Sequence, residues 1–507
     1  MTGLIKNVII YDGSGEDAYP GYVAYEHDKI TQTGHASTLA NEKSFDSITD
    51  GGGLALTPGF IDAHGHSDIS LLAAPEGMSK LTQGITSEIS GNCGLSPFPI
   101  TDLNREHLQS LWENYNVPIT WHDCKGYLDE VRRRRVSLNL FPLVGHNTLR
   151  GAVNGYTASK LSNLQLVEMK NLLRENLIGG ALGLSSGLLY VPGKFANLTE
   201  LTALLQVVAD LDGIYALHLR SEGAQLLESI TEAITALQSA GGKKLHLSHF
   251  KTAGRANWHK LNEALEIINR AAETIHVTCD RYPYIYSMSQ LSIISPSPYD
   301  DLDDIALMRV LQSEEHRSDF LVKMHQERNE SYWKNIQLVY TALPGFKNFC
   351  GSSFADIATA LQVDAPQLVL EILKQDAPNA SAAFGNMSLD NCKKIIALDN
   401  CVCGSDESTR PLDYSLGRSH PRNFGSMPEF YRMGLTQGIK PEKMIRKMSS
   451  LTAEIFNLPG RGRIAPGYFA DLALIDLANY AGKATLINPH QISSGVSAVW
   501  INGQRFL

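Results

Sequence analysis

Eight short apolar runs recur along the middle of this chain, each ending in polar residues and each followed by sequence of helical character. They are FIDAHGH, TSEISGNCG, NLFPLVGHN, GALGLSSG, GIYALHLRSEG, KLHLSHFK, IHVTCDRYPY and NCVCGSD. Strand-like runs alternating with helices are the pattern of βαβ units and a parallel sheet, and eight is the number that closes such a sheet into a barrel. The spacing agrees. Cys93 lies 29 residues after His64, His249 lies 31 after His218, and Asp280 lies 31 after His249; about 30 residues make one strand with its crossover helix. Asp280 to Asp406, by contrast, is 126 residues. An insertion is expected there, at about 286–350, where SIISPSPYDDLDD gives way to helix. Such a segment at the barrel mouth would act as a lid or a specificity wall; the plain alternative is a passive excursion.

Both ends of the chain read differently. LIKNVIIYDGSG and GYVAYEHDKITQTG near the start, and RGRIAPGYFADLALIDL and SAVWINGQRFL near the end, are short strand-like runs with Gly and Asp at the turns. The expected fold is therefore a (β/α)8 TIM barrel (56–460) with a small β-sandwich domain built from both termini (1–55 and 461–507).

Composition removes several functions. A net charge of −9 leaves no basic field for nucleic acid or anionic lipid. No apolar stretch approaches the roughly 20 residues that span a bilayer, and the first residues have neither the charged start nor the apolar length of a signal peptide. Seven cysteines without a pairing pattern suit a reducing compartment. A cytoplasmic enzyme with a small-molecule substrate is the expectation, with no nucleic acid and no membrane; the subunit count is left open.

In a barrel of this kind the reactive residues sit at the carboxyl ends of the strands. Those ends supply His64, His66, Cys93, His146, Ser185, His218, His249, Asp280 and Asp406. Strand alternation places Asp62, His64 and His66 on one side, and two imidazoles so spaced can grip one divalent cation. One histidine in an apolar strand is usually a satisfied core residue. Several converging on one mouth are hard to explain as packing. Cys93 stands in the tight turn Gly91-Asn92-Cys93-Gly94, and near a cation its thiol would ionise. His246 has the opposite parity to His249 and is excluded, whereas Lys251 shares it and should put an ammonium beside that ligand. His146 stays undecided.

PGFIDAHGH, GNCGLSPFP, GALGLSSGLLYVPG, LHLRSEG, LSHFK, CGSD, SHPRNFG and GRIAPGYFADLALID together resemble the amidohydrolase superfamily, and within it the D-aminoacylase (N-acyl-D-amino-acid deacylase) group. The resemblance implies a tightly held zinc on Cys93, His218 and His249, and a second, weaker position at His64 and His66 bridged by the Cys93 thiolate. It implies that Asp406 is the general base and acid, and that Arg422, Lys251 and Tyr282 hold the substrate α-carboxylate. Ser287 and Ser289 are both candidates for the serine that assists them. The implied reaction is hydrolysis of an N-acyl-D-amino acid to a D-amino acid and a carboxylate. The alternatives are a D-dipeptide or hydantoin-like ring as substrate, or a non-catalytic barrel scaffold. Three departures from the group are visible: Gly65 where it has Thr, Ile285-Tyr286-Ser287-Met288-Ser289 after Tyr284, and Glu407 after the catalytic Asp. No lysine stands in GALGLSSG to act as the carboxylated bridge of the related hydantoinases.

Overall fold

The computed structural model describes residues 2–35, 37 and 44–507. Five strands open it: β1 (Thr2–Ile10), β2 (Tyr19–Glu26), β3 (Lys29–His35), β4 (Ser47–Asp50) and β5 (Ala55–Pro58). Then come β6 (Phe60–Asp62), β7 (Ile85–Ser90), β8 (Asn139–Pro142), continued after Leu143 by β9 (Val144–Gly145), β10 (Gly183–Gly187), β11 (Ile214–His218), β12 (Lys244–Leu247) and β13 (His276–Arg281). An excursion carries β14 (Tyr286–Gln290), β15 (Ile336–Tyr340) and β16 (Ser381–Gly385) before β17 (Cys401–Cys403). The chain ends with β18 (Leu472–Ile475), β19 (Val496–Ile501) and β20 (Gln504–Arg505).

Each of the eight apolar runs supplies one wall of the barrel. β6, β7 and β8 pair in parallel, as do β9 through β13 and β17 in succession. The ring closes where Ala63 N donates to Cys403 O (3.0 Å) and His66 N to Glu407 O (3.0 Å). Crossover helices follow from amphipathic spacing. In Leu198–Asp210, Leu201, Leu204, Leu205 and Val208 fall on one buried face, and Asn197 caps the start by accepting from Glu200 N. Inside the barrel, Ile61, Ala63, Ile89, Leu143, Ala216 and Val402 form one buried cluster with Ala453, Ile455, Phe456 and Leu458. That leaves the polar chemistry to the strand ends.

The two ends of the chain meet in one sheet, ordered β20-β19-β18-β5-β1-β2-β3 with β4 also on β1. The joint is antiparallel, Leu472 opposite Pro58 and Ile475 opposite Ala55.

The insertion is larger than 286–350. β14 pairs antiparallel with β16, from Tyr286 opposite Gly385 to Gln290 opposite Ser381, and β15 takes the other edge of β16. The excursion thus closes on itself only at 385. It has its own buried core, including Leu291, Phe320, Trp333, Leu338, Phe354 and Leu373. Among the described residues no helix is long and apolar enough to cross a membrane.

Candidate metal centre

The regular strand stops at Asp62, and with it the alternation that would have grouped Asp62 with the histidines. Its neighbours Ile61 and Ala63 face the barrel interior, so Asp62 points outward and pairs with Lys80 (Nζ to Oδ2 2.7 Å). The chain bends beyond it, which swings His64 inward instead. Asp62 is therefore no member of the site. Gly65 sits directly over the Glu88 carboxylate, and a Cβ there would lie 2.0 Å from Glu88 Cδ.

After β7 the Gly-Asn-Cys-Gly turn places Gly91, Cys93 and Gly94 at φ of 71°, 52° and 79°. A side chain on Gly94 would collide with Asn147, and one on Gly91 with Leu143 O. Ser185, on the fourth strand where the bridging lysine is lacking, props this turn by accepting from Gly94 N (3.1 Å) and donating to Gly91 O. The turn delivers Cys93 Sγ to 3.3 Å from His64 Nε2, 3.4 Å from His249 Nε2 and 3.8 Å from His218 Nδ1. Tetrahedral zinc with one thiolate and imidazole ligands spaces sulfur from nitrogen by about 3.6 Å. The ligand atoms of Cys93, His218 and His249 all lie within 4.8 Å of one another, as do those of His64, His66, Cys93 and Asp406. Both groups contain Cys93. The donor set, two nitrogens and a sulfur in one and a shared sulfur in the other, fits zinc.

A ligating histidine is normally oriented by a carboxylate on its other ring nitrogen, and that arrangement is present. Asp280 Oδ2 lies 3.1 Å from His64 Nδ1, and its Oδ1 accepts from His249 N (3.0 Å). Glu222 Oε1 lies 2.9 Å from His249 Nδ1, and its Oε2 3.8 Å from His218 Nε2. Lys251 Nζ is 2.8 Å from His249 Nδ1 and ion-pairs with Glu222, so the ammonium stands beside that imidazole. His246 supports rather than ligates, reaching Asp280 Oδ2 (3.0 Å) and Thr278. His146 heads a helix and pairs with Glu200 at 2.9 Å, a structural partnership. Glu222, Tyr190 and Lys80 are additions that sequence reasoning missed. Glu222 and Tyr190 each left a trace, in the LHLRSEG and GALGLSSGLLYVPG blocks; Lys80 left none.

Burial alone would raise the Cys93 thiol, but the His64 and His249 imidazoles outweigh it and hold the group well below the usual thiol range. Burial likewise opposes ionisation of Asp406, and the Arg422 guanidinium overrides it. Asp406 Oδ1 faces His66 Nε2 (3.2 Å) and His64 Nε2 (3.5 Å), while Oδ2 faces Arg422 Nη1 (2.8 Å). Arg422 also approaches Glu407 (Nε to Oε1 3.4 Å) and lies 4.5 Å over the Tyr282 ring. The Tyr282 hydroxyl is buried and has no hydrogen-bond partner among the described residues. Ser287 and Ser289 lie two apart on β14, and Ser289 Oγ is 3.4 Å from the hydroxyl of Tyr190, whose ring meets His218 edge-on at 4.9 Å.

An amidohydrolase family profile matches residues 355–506. The N-acyl-D-aspartate deacylase of Alcaligenes xylosoxydans xylosoxydans is 30% identical over 510 residues, 99% of this chain and 91% of that one. The solved structure of an N-acyl-D-glutamate deacylase from Bordetella bronchiseptica, complexed with zinc and a phosphonate mimic of the tetrahedral intermediate, aligns with a TM-score of 0.82 at 26% identity. That alignment covers 99% of this chain and 96% of the other. A D-aminoacylase described with a binuclear metal centre gives a TM-score of 0.81 at 25% identity, covering 99% and 96%. With a relative 30% identical across nearly the full length of both chains, this chain belongs to the amidohydrolases, in their D-aminoacylase (N-acyl-D-amino-acid deacylase) group.

Proposed function

We propose that this chain hydrolyses the amide bond of N-acyl-D-amino acids, releasing a D-amino acid and a carboxylate. Zinc would be held by Cys93, His218 and His249, with a second, weaker position at His64 and His66 bridged by the Cys93 thiolate. The observation that carries the reading is the convergence of these five side chains on one mouth with Asp406 Oδ1 turned toward them. Zinc bound there supplies a Lewis acid for the acyl carbonyl and lowers the pKa of water toward about 7.

The protein's own groups do the rest. With Arg422 favouring its ionised form, Asp406 offers Oδ1 as the base that takes a proton from the attacking water and returns it to the departing nitrogen. Arg422 holds the other carboxylate oxygen, which fixes which oxygen works. The Arg422 guanidinium, the Lys251 ammonium and the unpartnered Tyr282 hydroxyl form the site for the α-carboxylate, assisted by Ser287 or Ser289 from the insertion. Anchoring the carboxylate at one end and the carbonyl at the other leaves the side chain as the third point that distinguishes the two hands. A reducing cytoplasm suits a working thiolate, and all seven cysteines are free.

The test is a panel of N-acetyl-D- and N-acetyl-L-amino acids, with hydantoins and D-dipeptides alongside and product chirality determined. Turnover of the D series with release of D-amino acid is the expected result. Preferential turnover of a ring substrate or of the L series would overturn it.

A further inference from the structure

Lys80 is fully buried on the short helix Met78–Leu81, and it touches neither a ligand nor the base. Its Nζ shares three N–H donors among four acceptors: Asp62 Oδ2 at 2.7 Å, Glu88 Oε2 at 3.0 Å, Ser405 Oγ at 2.9 Å and Glu407 O at 2.9 Å. Two of these lead to the metal-ligand segment. Asp62 Oδ1 accepts from His64 N (3.2 Å), and Glu88 accepts from Ser67 N (2.8 Å) and Ser67 Oγ (2.7 Å). Residues 64–66 are thus bracketed from both sides. The other two acceptors, Ser405 and Glu407, are the residues on either side of Asp406.

Asp406 has a φ of 53°, in the left-handed region that side-chain-bearing residues avoid. Such a conformation persists only where the surroundings over-determine it. Here Asp406 N donates to His64 O (2.7 Å), Ser405 N donates to Asp62 Oδ1 (2.8 Å), and Lys80 grips the side chain before Asp406 and the carbonyl after it. We propose that Lys80 is a positioning residue. It locks Asp406 in its left-handed conformation against the His64–His66 segment, so that base and ligands keep one register. The kinetic half of this inference rests on the deacylase reading; the metal-binding half does not.

Lys80→Met alone strands two buried carboxylates, so the test uses Lys80→Met/Asp62→Asn/Glu88→Gln, which removes the lysine and leaves no unpaired charge. Ser405→Ala is the second variant, deleting one of the two grips beside Asp406 without touching a charge. Thermal unfolding, zinc titration and kinetics are measured on each. The expected result for the triple variant is cooperative unfolding, one tightly bound zinc, weaker binding of a second equivalent, and kcat lower by about 10–100-fold with KM nearly unchanged. Ser405→Ala should lower kcat in the same direction by less. If the triple variant does not fold, Ser405→Ala decides. Wild-type kcat and second-site affinity in a folded variant, or a loss appearing only in KM, would overturn the positioning role. A wild-type protein inactive on every N-acyl-D-amino acid would sink the deacylase reading instead, while the zinc titrations would still decide the metal-binding half of Lys80's role.

Discussion

Asp406 is set by its neighbours twice over, once through a strained backbone and once through its carboxylate. The Arg422 ion pair keeps that carboxylate ionised despite burial. Asp406→Asn keeps the shape and removes the basicity, so kcat should fall by about 10²–10⁴ while zinc content, measured on the same preparation, stays at the wild-type level. Unchanged turnover would remove Asp406 from the mechanism. The pH dependence follows with a definite sign. A neighbouring cation lowers a carboxylate pKa by about 1–3 units, so Arg422→Met must raise that of Asp406 and carry the acid limb of kcat/KM to higher pH. A limb that stays in place assigns it to another group. The proposed ligands could be shortlisted from the sequence because each stands at a strand end, and strand ends can be counted. The groups behind them were legible only in part. Asp280 was counted among the strand ends and Glu222 stood in the LHLRSEG block, but their support of His64, His249 and His218 is set by three-dimensional contact, and Lys80 reaches its partners from a helix at sequence separations that no spacing rule anticipates. Asp62 was misread for a related reason, since strand alternation holds only while the strand lasts.

At the level of elements, the His64–His66 segment and β7 are matched to each other. Gly65 leaves the space that the Glu88 carboxylate occupies, and Glu88 in turn holds Ser67 and Lys80. Gly65→Ala should therefore disturb both histidines, costing about 1–3 kcal/mol of stability by overpacking and weakening the second zinc position. Glu88→Ala opens the space but leaves Ser67 N without its acceptor. Combined, the two changes should cost less than their sum, a coupling readable in a double-mutant cycle; strict additivity would mean that Glu88 does not fill the space under Gly65. The insertion teaches a different lesson about legibility. Its first half stood out by composition, but its closing strand is Ser-Ala-Ala-Phe-Gly, with no β-branched residue and little intrinsic strand preference. It is a strand because β14 and β15 flank it on both edges. Only the three-dimensional pairing reveals where the excursion ends.

Over the whole molecule, the proposed zinc ligands come from the ends of β6, β7, β11 and β12, four different walls of one barrel. A cation shared by Cys93, His218 and His249 ties three of those walls together, and its binding free energy adds to the stability of the barrel alone. The insertion and the terminal sheet have cores of their own, built around Leu338 and Trp333 in one and Ile5, Leu56 and Trp500 in the other. Unfolding of such a chain need not be a single transition. Stripping the metal with a chelator should lower the temperature of the barrel transition. The loss should approach about 4 kcal/mol when free zinc in the loaded sample exceeds its dissociation constant a thousandfold. One equivalent of zinc should restore most of it if Cys93 with His218 and His249 forms the stronger of the two positions, as proposed. Calorimetry of loaded, stripped and reconstituted protein checks this. Cys93→Ser should abolish the response to added zinc while leaving any transition of the insertion where it was. A stripped protein that melts like the loaded one would mean that these side chains share a mouth without sharing an ion.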